Sequence, residues 1–426
     1  MSLISAWGFA GGTYAGQSSD VNVERCVNLY PEVTESPGQR SKRRVVLYPT
    51  PGLASFATAG NGPIRAIFYQ DGRLFCVSGG EFYEISPAGT ATDRGDVASD
   101  ANPASISSNG AGGNQLFIVS GGLGYIYSLT ANTLTQISDA DFPASAVMGV
   151  YADGYFLALR GSSVQFNWSA LSNGSSWPTA SLASKSQTSD NVKALLVDHK
   201  EVWLLGSKAT EVWYNTGDAT NPFAPIQGVL IEHGIHAPWS AVQINNTICW
   251  LGEDEQGIGQ AWFANGYTPQ RFSTHGVEQV WAGYGVTLED AIGFGYQERG
   301  HTFYLLTFPT AKATWGFDFA SGMWHERGFL ENGQYVAHLG RCHAYAYNKH
   351  IVGSRNDGTL YEQSLGYYND AGTAIRRMRR SPHIAVDQRD IEFNEAQLEC
   401  QVGAGVLSGQ GSDPRVMLRF SDDGGR

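Results

Sequence analysis

Lysine is scarce in this chain: among 426 residues there are 7 Lys, and 28 basic against 40 acidic side chains leave a net charge of −12. A protein that grips phosphates over a broad surface is biased the other way, so tight nucleic-acid binding is not expected. A passive path for nucleic acid is compatible with this balance, because acidic walls repel phosphates and do not trap them. Long apolar runs are also missing. Stretches of four or five apolar residues are interrupted by Gly, Ser or charge, and none approaches the roughly 20 needed for a membrane span. The first residues, MSLISAWGFAGGTYAG, show neither a basic leader nor a long apolar stretch. No secretory signal is expected from them, and synthesis is expected to end in the cytoplasm. Cys26, Cys76, Cys249, Cys342 and Cys400 lie far apart with no Cys-x-x-Cys, which argues for buried free thiols over a disulfide framework or a zinc knuckle. A charged fraction of 16% with 12% aromatics excludes a disordered chain.

Helical periodicity is nearly absent too. What is present is a succession of four- to six-residue runs rich in Val, Ile, Phe, Tyr and Trp, bounded by Gly, Asn, Asp and Ser, which is strand punctuation. One run returns almost unchanged: LFCVSGG (74–80) reappears as LFIVSGG (116–122). The same slot, an apolar strand closing on Gly or a small polar residue, recurs at Gly161, Gly206, Gly252, Thr307 and Gly353. Counting from Gly79 through Gly121, successive slots are 42, 40, 45, 46, 55 and 46 residues apart. A period of roughly 40 to 50 residues marks four-stranded propeller blades, since a small twisted sheet buries both faces only between neighbours in a closed ring. Asp71-Gly72, Asp153-Gly154 and Asp357-Gly358 supply hairpin signals beside the slots. The longest interval, between Gly252 and Thr307, predicts an inserted loop.

The expected fold class is therefore all-β: an irregular β-propeller of six to eight blades over residues 44–365, preceded by an N-terminal arm (1–43). After residue 366 the pattern shifts. IAVD, IEFN, QLECQVG and VMLRF, with Leu398, Cys400 and Val402 alternating against polar neighbours and Val416, Leu418 and Phe420 against Met417 and Arg419, read as half-buried antiparallel strands. They predict the start of a second, antiparallel β domain (366–426), incomplete at the chain end because SDDGG turns toward a partner strand that does not follow.

Groups that carry chemistry are dispersed. His233 and His236 in EHGIH lack a third ligand at a recognisable spacing, so an exposed turn is favoured over a metal site. SDDGG and SNGSSW echo the turn of glycosidase propellers, but no spacing brings Arg65, Arg160, Arg271 and Arg299 together, and Glu211 and Tyr214 face opposite sides of one strand. No catalytic residue, cofactor motif or metal set is expected. Two basic clusters bracket the propeller, QRSKRR (39–44) and RRMRR (376–380). Their Arg43, Arg44, Arg376, Arg377, Arg379 and Arg380 are candidate contacts to acidic protein neighbours, with a solvated linker as the other reading.

The strings RCVNLYPE, TPGL, EVWYNTG, WLGEDEQG, GHTFYLLTFPTAKATW, GMWHERG and SDDGG resemble the tail hub, or nozzle, proteins of short-tailed bacteriophages, the packaged DNA stabilisation protein family. The resemblance implies a non-enzymatic structural protein located in the virion tail. Six copies form a ring below the portal and its adaptor proteins, continue the channel for double-stranded DNA without binding it specifically, retain the packaged genome, carry tailspikes or tail fibres, and meet a tail needle or distal tail protein. The alternative from another class is a carbohydrate-active or carbohydrate-binding propeller of sialidase type.

Overall fold

Tight turns at left-handed residues cut the chain into strands. In the computed structural model, which describes residues 9–16, 22–34, 45–383, 395, 397–400, 407–409, 412 and 415–421, Asp71-Gly72 (φ 49° and 79°) and Asp153-Gly154 (φ 42° and 97°) each close a two-residue hairpin of the mirror-turn type. The equivalent turns of later blades use His199-Lys200, Asn245-Asn246, Arg299-Gly300 and Tyr347-Asn348, all with positive φ. Asp357-Gly358 differs: it belongs to a four-residue connection, where the Asp357 carboxylate accepts the Thr359 N–H at 3.0 Å.

Seven antiparallel blades result: five are four-stranded meanders, the sixth is a four-stranded meander within an eight-stranded sheet, and the seventh has three consecutive strands within a six-stranded sheet. Their innermost strands are Ile64–Gln70, Ser105–Ser108, Ala146–Ala152, Val192–Asp198, Val242–Ile244, Ile292–Glu298 and Gly340–Ala346, and the last lies beside the first, closing a ring. The fold is a β-propeller. Gly79, Gly121, Gly161, Gly206, Gly252, Thr307 and Gly353 each lie in or just after the second strand of a different sheet. Closure comes from the N-terminal side: Gly52–Thr58 pairs with Thr359–Ser364 as the outer strand of the seventh blade.

The second strands explain the repeat. Arg73–Ser78, Gln115–Ser120 and Glu201–Gly206 are buried at every position after the first, because each sits mid-sheet between two neighbouring blades. Trp203 and Trp250 are buried in this layer. Four inner strands carry an extra residue near their start, Arg65, Val147, Lys193 and Arg341, and the bulge turns three of these side chains toward neighbouring connections. Arg65 donates to Asn102 O at 2.7 Å, Gly79 O at 3.0 Å and Ser120 Oγ at 2.8 Å; Arg341 donates to Ala101 O at 2.8 Å; Lys193 pairs with Glu289 at 2.8 Å.

Three expectations are corrected. The long interval before Thr307 holds a helix, His275–Ala282, and a 3-10 segment, Gly285–Asp290, as well as loop. Thr274 caps the helix, accepting from Val277 N, and Val277 and Trp281 bury against Trp315 and Trp324; eight residues are too few for a visible period. Residues expected in the second domain instead pair with the propeller: Asn369–Asp370 lies along Gly52–Thr58, and Met378–Arg380 lies along Val23–Val27. The described parts of QLECQVG and VMLRF carry no strand, and Leu398, Val416, Leu418 and Phe420 are exposed; IAVD and IEFN fall outside the described residues. Of the cysteines, Cys26, Cys76 and Cys249 are buried and Cys342 is partly so, whereas Cys400 is exposed.

Candidate assembly surface

The sixth blade (Ile292–Glu298, His301–Phe308, Ala313–Asp318, Met323–Glu331) is wider than the others. The arm strand Val23–Val27 runs parallel to its outer strand, meeting it at Val27 and Glu326, and Met378–Arg380 pairs antiparallel with Arg25–Val27. The N-terminal arm and the segment that follows the seventh blade thus meet on one edge. Asn28, buried and left-handed at φ 55°, is the joint. Its side-chain amide donates to Gly328 O at 2.8 Å and Arg376 O at 2.9 Å, while its carbonyl oxygen accepts from Gly328 N at 2.9 Å. Thr13 closes the other end, donating its N–H to Trp324 O at 2.7 Å and accepting from Cys26 N at 2.8 Å.

Charge reinforces the ladder. Arg25 holds Glu326 through two parallel bonds of 2.9 and 2.5 Å, an arrangement that raises the guanidinium pKa from its ordinary value. Arg379 pairs with Glu24 and donates to Gly12 O at 2.7 Å and to Phe9 O, with 3% of its side chain exposed. That corrects one candidate: the Arg379 guanidinium is an internal tie and is not available to a partner. Arg376 is exposed and lies over the Tyr335 ring at 5.6 Å, and Arg380 is exposed. Arg377 is half-buried near Asp370, whose carboxyl is pushed up to about 7 by burial, against the opposing pull of Arg377 and Arg327. Arg43 and Arg44 lie outside the described residues.

Between the arm, the helical insert and this edge lies a cavity of about 260 Å³, lined in part by Arg25, Tyr284, Lys312, Trp315, Glu326 and Tyr335. Trp315 Nε1 donates to Tyr284 Oη at 3.2 Å and fixes one wall. The volume is below the roughly 300 Å³ at which small-molecule pockets begin. Sequence reasoning missed Arg25, Lys312 and Tyr335 as a group, because only the fold brings three distant segments together.

The family described as "Bacteriophage P22 Gp10, beta-propeller" matches residues 9–365, which include the arm strands and all seven blades, while the edge strand Met378–Arg380 lies beyond the match. The chain belongs to this bacteriophage structural family. No curated protein sequence matches the chain. Among solved structures, it is similar to YCF48 bound to D1 peptide (12% identity, 75% of this chain and 96% of that one, TM-score 0.46). It is also similar to BamB from Moraxella catarrhalis (9% identity, 74% and 100% covered, TM-score 0.44), and no function is carried over from either.

Within this family member, most of the residues weighed for catalysis have local structural partners. Arg65, Arg160, Arg271 and Arg299 sit on the first, third, fifth and sixth blades. Arg160 donates to Gln165 Oε1 at 3.1 Å and Arg271 pairs with Glu278. Glu211 is buried and accepts from Gln187 N at 2.7 Å and Trp213 Nε1 at 3.0 Å, while Tyr214 is exposed. In SNGSSW, Trp177 is buried and donates to Gly174 O at 2.8 Å, which makes this turn structural. His233 stacks on Trp262 at 4.0 Å, with burial lowering its pKa, and His236 meets Glu253 at 2.7 Å. Among the described residues, no three His, Cys, Asp or Glu are grouped to hold a metal, and no helix is long and apolar enough to cross a membrane.

Proposed function

We propose that this chain is the tail hub of a short-tailed bacteriophage, a non-enzymatic ring subunit of the virion tail. The observation that carries the reading is the family match over residues 9–365, spanning arm and propeller together. Six copies surround an axial channel below the portal and its adaptors, retain the packaged genome, bear tailspikes or fibres on their flanks, and are closed by a needle or distal tail protein. The chemistry is consistent with this role. DNA held under pressure must leave quickly, and a wall rich in Lys and Arg adds phosphate contacts and counterion-release terms that oppose sliding, whereas a net charge of −12 supplies few. Inter-blade burial makes a stiff body on which partners dock, and the exposed Arg376 and Arg380 are contacts for acidic neighbours.

The test is electron microscopy of purified particles labelled with antibody to this chain, with mass spectrometry of the same particles. Label at the tail below the portal vertex, at about six copies per particle, is the expected result. Particles free of the chain, or purified protein that cleaves a polysaccharide and loses that activity on a single carboxylate change, overturn the reading.

A further inference from the structure

A closed ring of identical subunits uses heterologous contacts, so one flank of the subunit must match a different flank of its neighbour. The sixth-blade cavity and the connection between the second and third blades are two such different flanks. Around the ring of seven blades the two features lie about three blades apart, on different flanks of the subunit. The two features also open on the same side of the disc. Lys312 lies in the turn after the sixth blade's second strand, and residues 137–145 join the outer strand Thr133–Gln136 to the inner strand Ala146–Ala152, both at the end of the blades where inner strands begin.

Their charges are complementary. At the cavity, Arg25 is neutralised by Glu326, but Lys312 and the Arg376 that rests on Tyr335 have no carboxylate in pairing distance among the described residues. Such a positive rim is unusual in a chain with 12 more acidic than basic groups. On the other flank, Asp139 accepts from Trp177 N at 2.8 Å and from Asp141 N at 3.1 Å, and Asp141 accepts from Thr179 Oγ1 at 2.8 Å. Neither carboxylate is ion-paired among the described residues. Their hydrogen bonds hold the loop in one shape and leave its negative charge uncompensated. A preorganised anionic loop and a shallow cationic cavity lose little conformational entropy on meeting.

We propose that the sixth-blade cavity receives the acidic loop of residues 138–141 from a second copy of this chain, with Lys312 and Arg376 facing Asp139 and Asp141. The proposal rests on the ring-subunit reading and names the contact that builds the ring. Its attraction is between partly solvated charges, so assembly weakens as salt rises.

The experiment is sedimentation velocity with negative-stain imaging of the full chain at low and high salt, for the wild type, Lys312→Glu, Asp141→Lys and the double variant. Circular dichroism and thermal melting confirm that each variant folds; Asp141 is chosen because Asp139 also holds Trp177 N. Salt-sensitive rings in the wild type, association weaker by roughly tenfold in each single variant, and recovery in the double variant are expected. Rings undiminished in the single variants overturn this contact and leave the hub reading intact. A double variant as weak as the single ones, or a wild type monomeric at all concentrations, also overturns it. Labelled particles lacking the chain overturn the hub reading itself, whatever the rings do.

Discussion

The inter-blade layer and the sixth-blade edge hold together by different physics. In the layer, Leu204, Trp250 and Leu251 have no exposed area and contribute through apolar burial, which salt scarcely touches. At the edge, three segments drawn from opposite ends of the chain are joined by a short ladder, the Asn28 amide and the Arg25–Glu326 and Arg379–Glu24 pairs. The layer thus sets the global stability of the propeller. The edge decides whether the arm and the segment after residue 366 stay docked, and it responds to charge.

The sharpest break in that contrast is a cavity in the layer. Trp250, fully buried with its indole N–H donating to Gly234 O at 3.1 Å, is expected to cost about 3–5 kcal/mol when replaced by Ala. A fall in the urea midpoint of the whole propeller, with the slope unchanged, checks this. Next comes the edge. Arg379→Ala removes a buried guanidinium and leaves Glu24 without it, a change of about 2–3 kcal/mol by the usual cost of a truncated charged hydrogen bond. Here the effect is local: limited proteolysis should release the arm or the segment after residue 380 while the main melting transition moves little. A matching loss in the main transition would show that edge and layer are one cooperative unit.

Much of the layer was legible in the sequence and little of the edge was. The second strands are buried on both faces, so their apolar runs are continuous and end at small residues where the chain turns between blades; Leu74 to Val77 and Leu116 to Val119 show the same physics twice. That continuity placed the seven slots on seven sheets. The edge has no such signature, because Val27 meets Glu326 across some three hundred residues and the joint depends on one left-handed Asn. An arginine run at residues 376–380 looks like a uniform basic patch until the pleat separates Arg379, turned inward, from Arg376 and Arg380, turned to solvent. The cavity was hidden for the same reason: its cations come from the arm and a turn of the sixth blade, with Arg376 at its rim from the chain beyond the seventh.

A smaller effect, with a sign that distinguishes it, comes from Asp370, where the edge segment crosses the closing strand. Its folded pKa of about 7 lies above the unfolded value near 3.9, so the folded state binds the extra proton between those limits. The stability that Asp370 contributes is fully present below about pH 4, is lost as pH rises toward 7, and does not change beyond. Asp370→Asn should therefore leave the acid-side stability unchanged and raise the unfolding free energy at pH 8 by about 1–2 kcal/mol after discounting the shift for relaxation, read as a higher melting temperature there. A variant less stable than wild type at pH 8 would mean that the Arg377 and Arg327 interactions outweigh the burial.

The smallest effect sharpens the comparison within the edge itself. Arg376 lies over Tyr335 on the exposed side, and a cation–π contact there contributes about 0.5–1 kcal/mol. Its backbone carbonyl, which accepts from Asn28 Nδ2 and Tyr335 Oη, survives any side-chain change. Arg376→Ala should consequently leave proteolysis of the arm and the melting of the propeller close to wild type, in contrast to Arg379→Ala three residues on. What it should change is association, since this side chain has no carboxylate of its own to satisfy. Equal loosening of the arm by both variants would place Arg376 among the internal ties and remove it from the cavity rim.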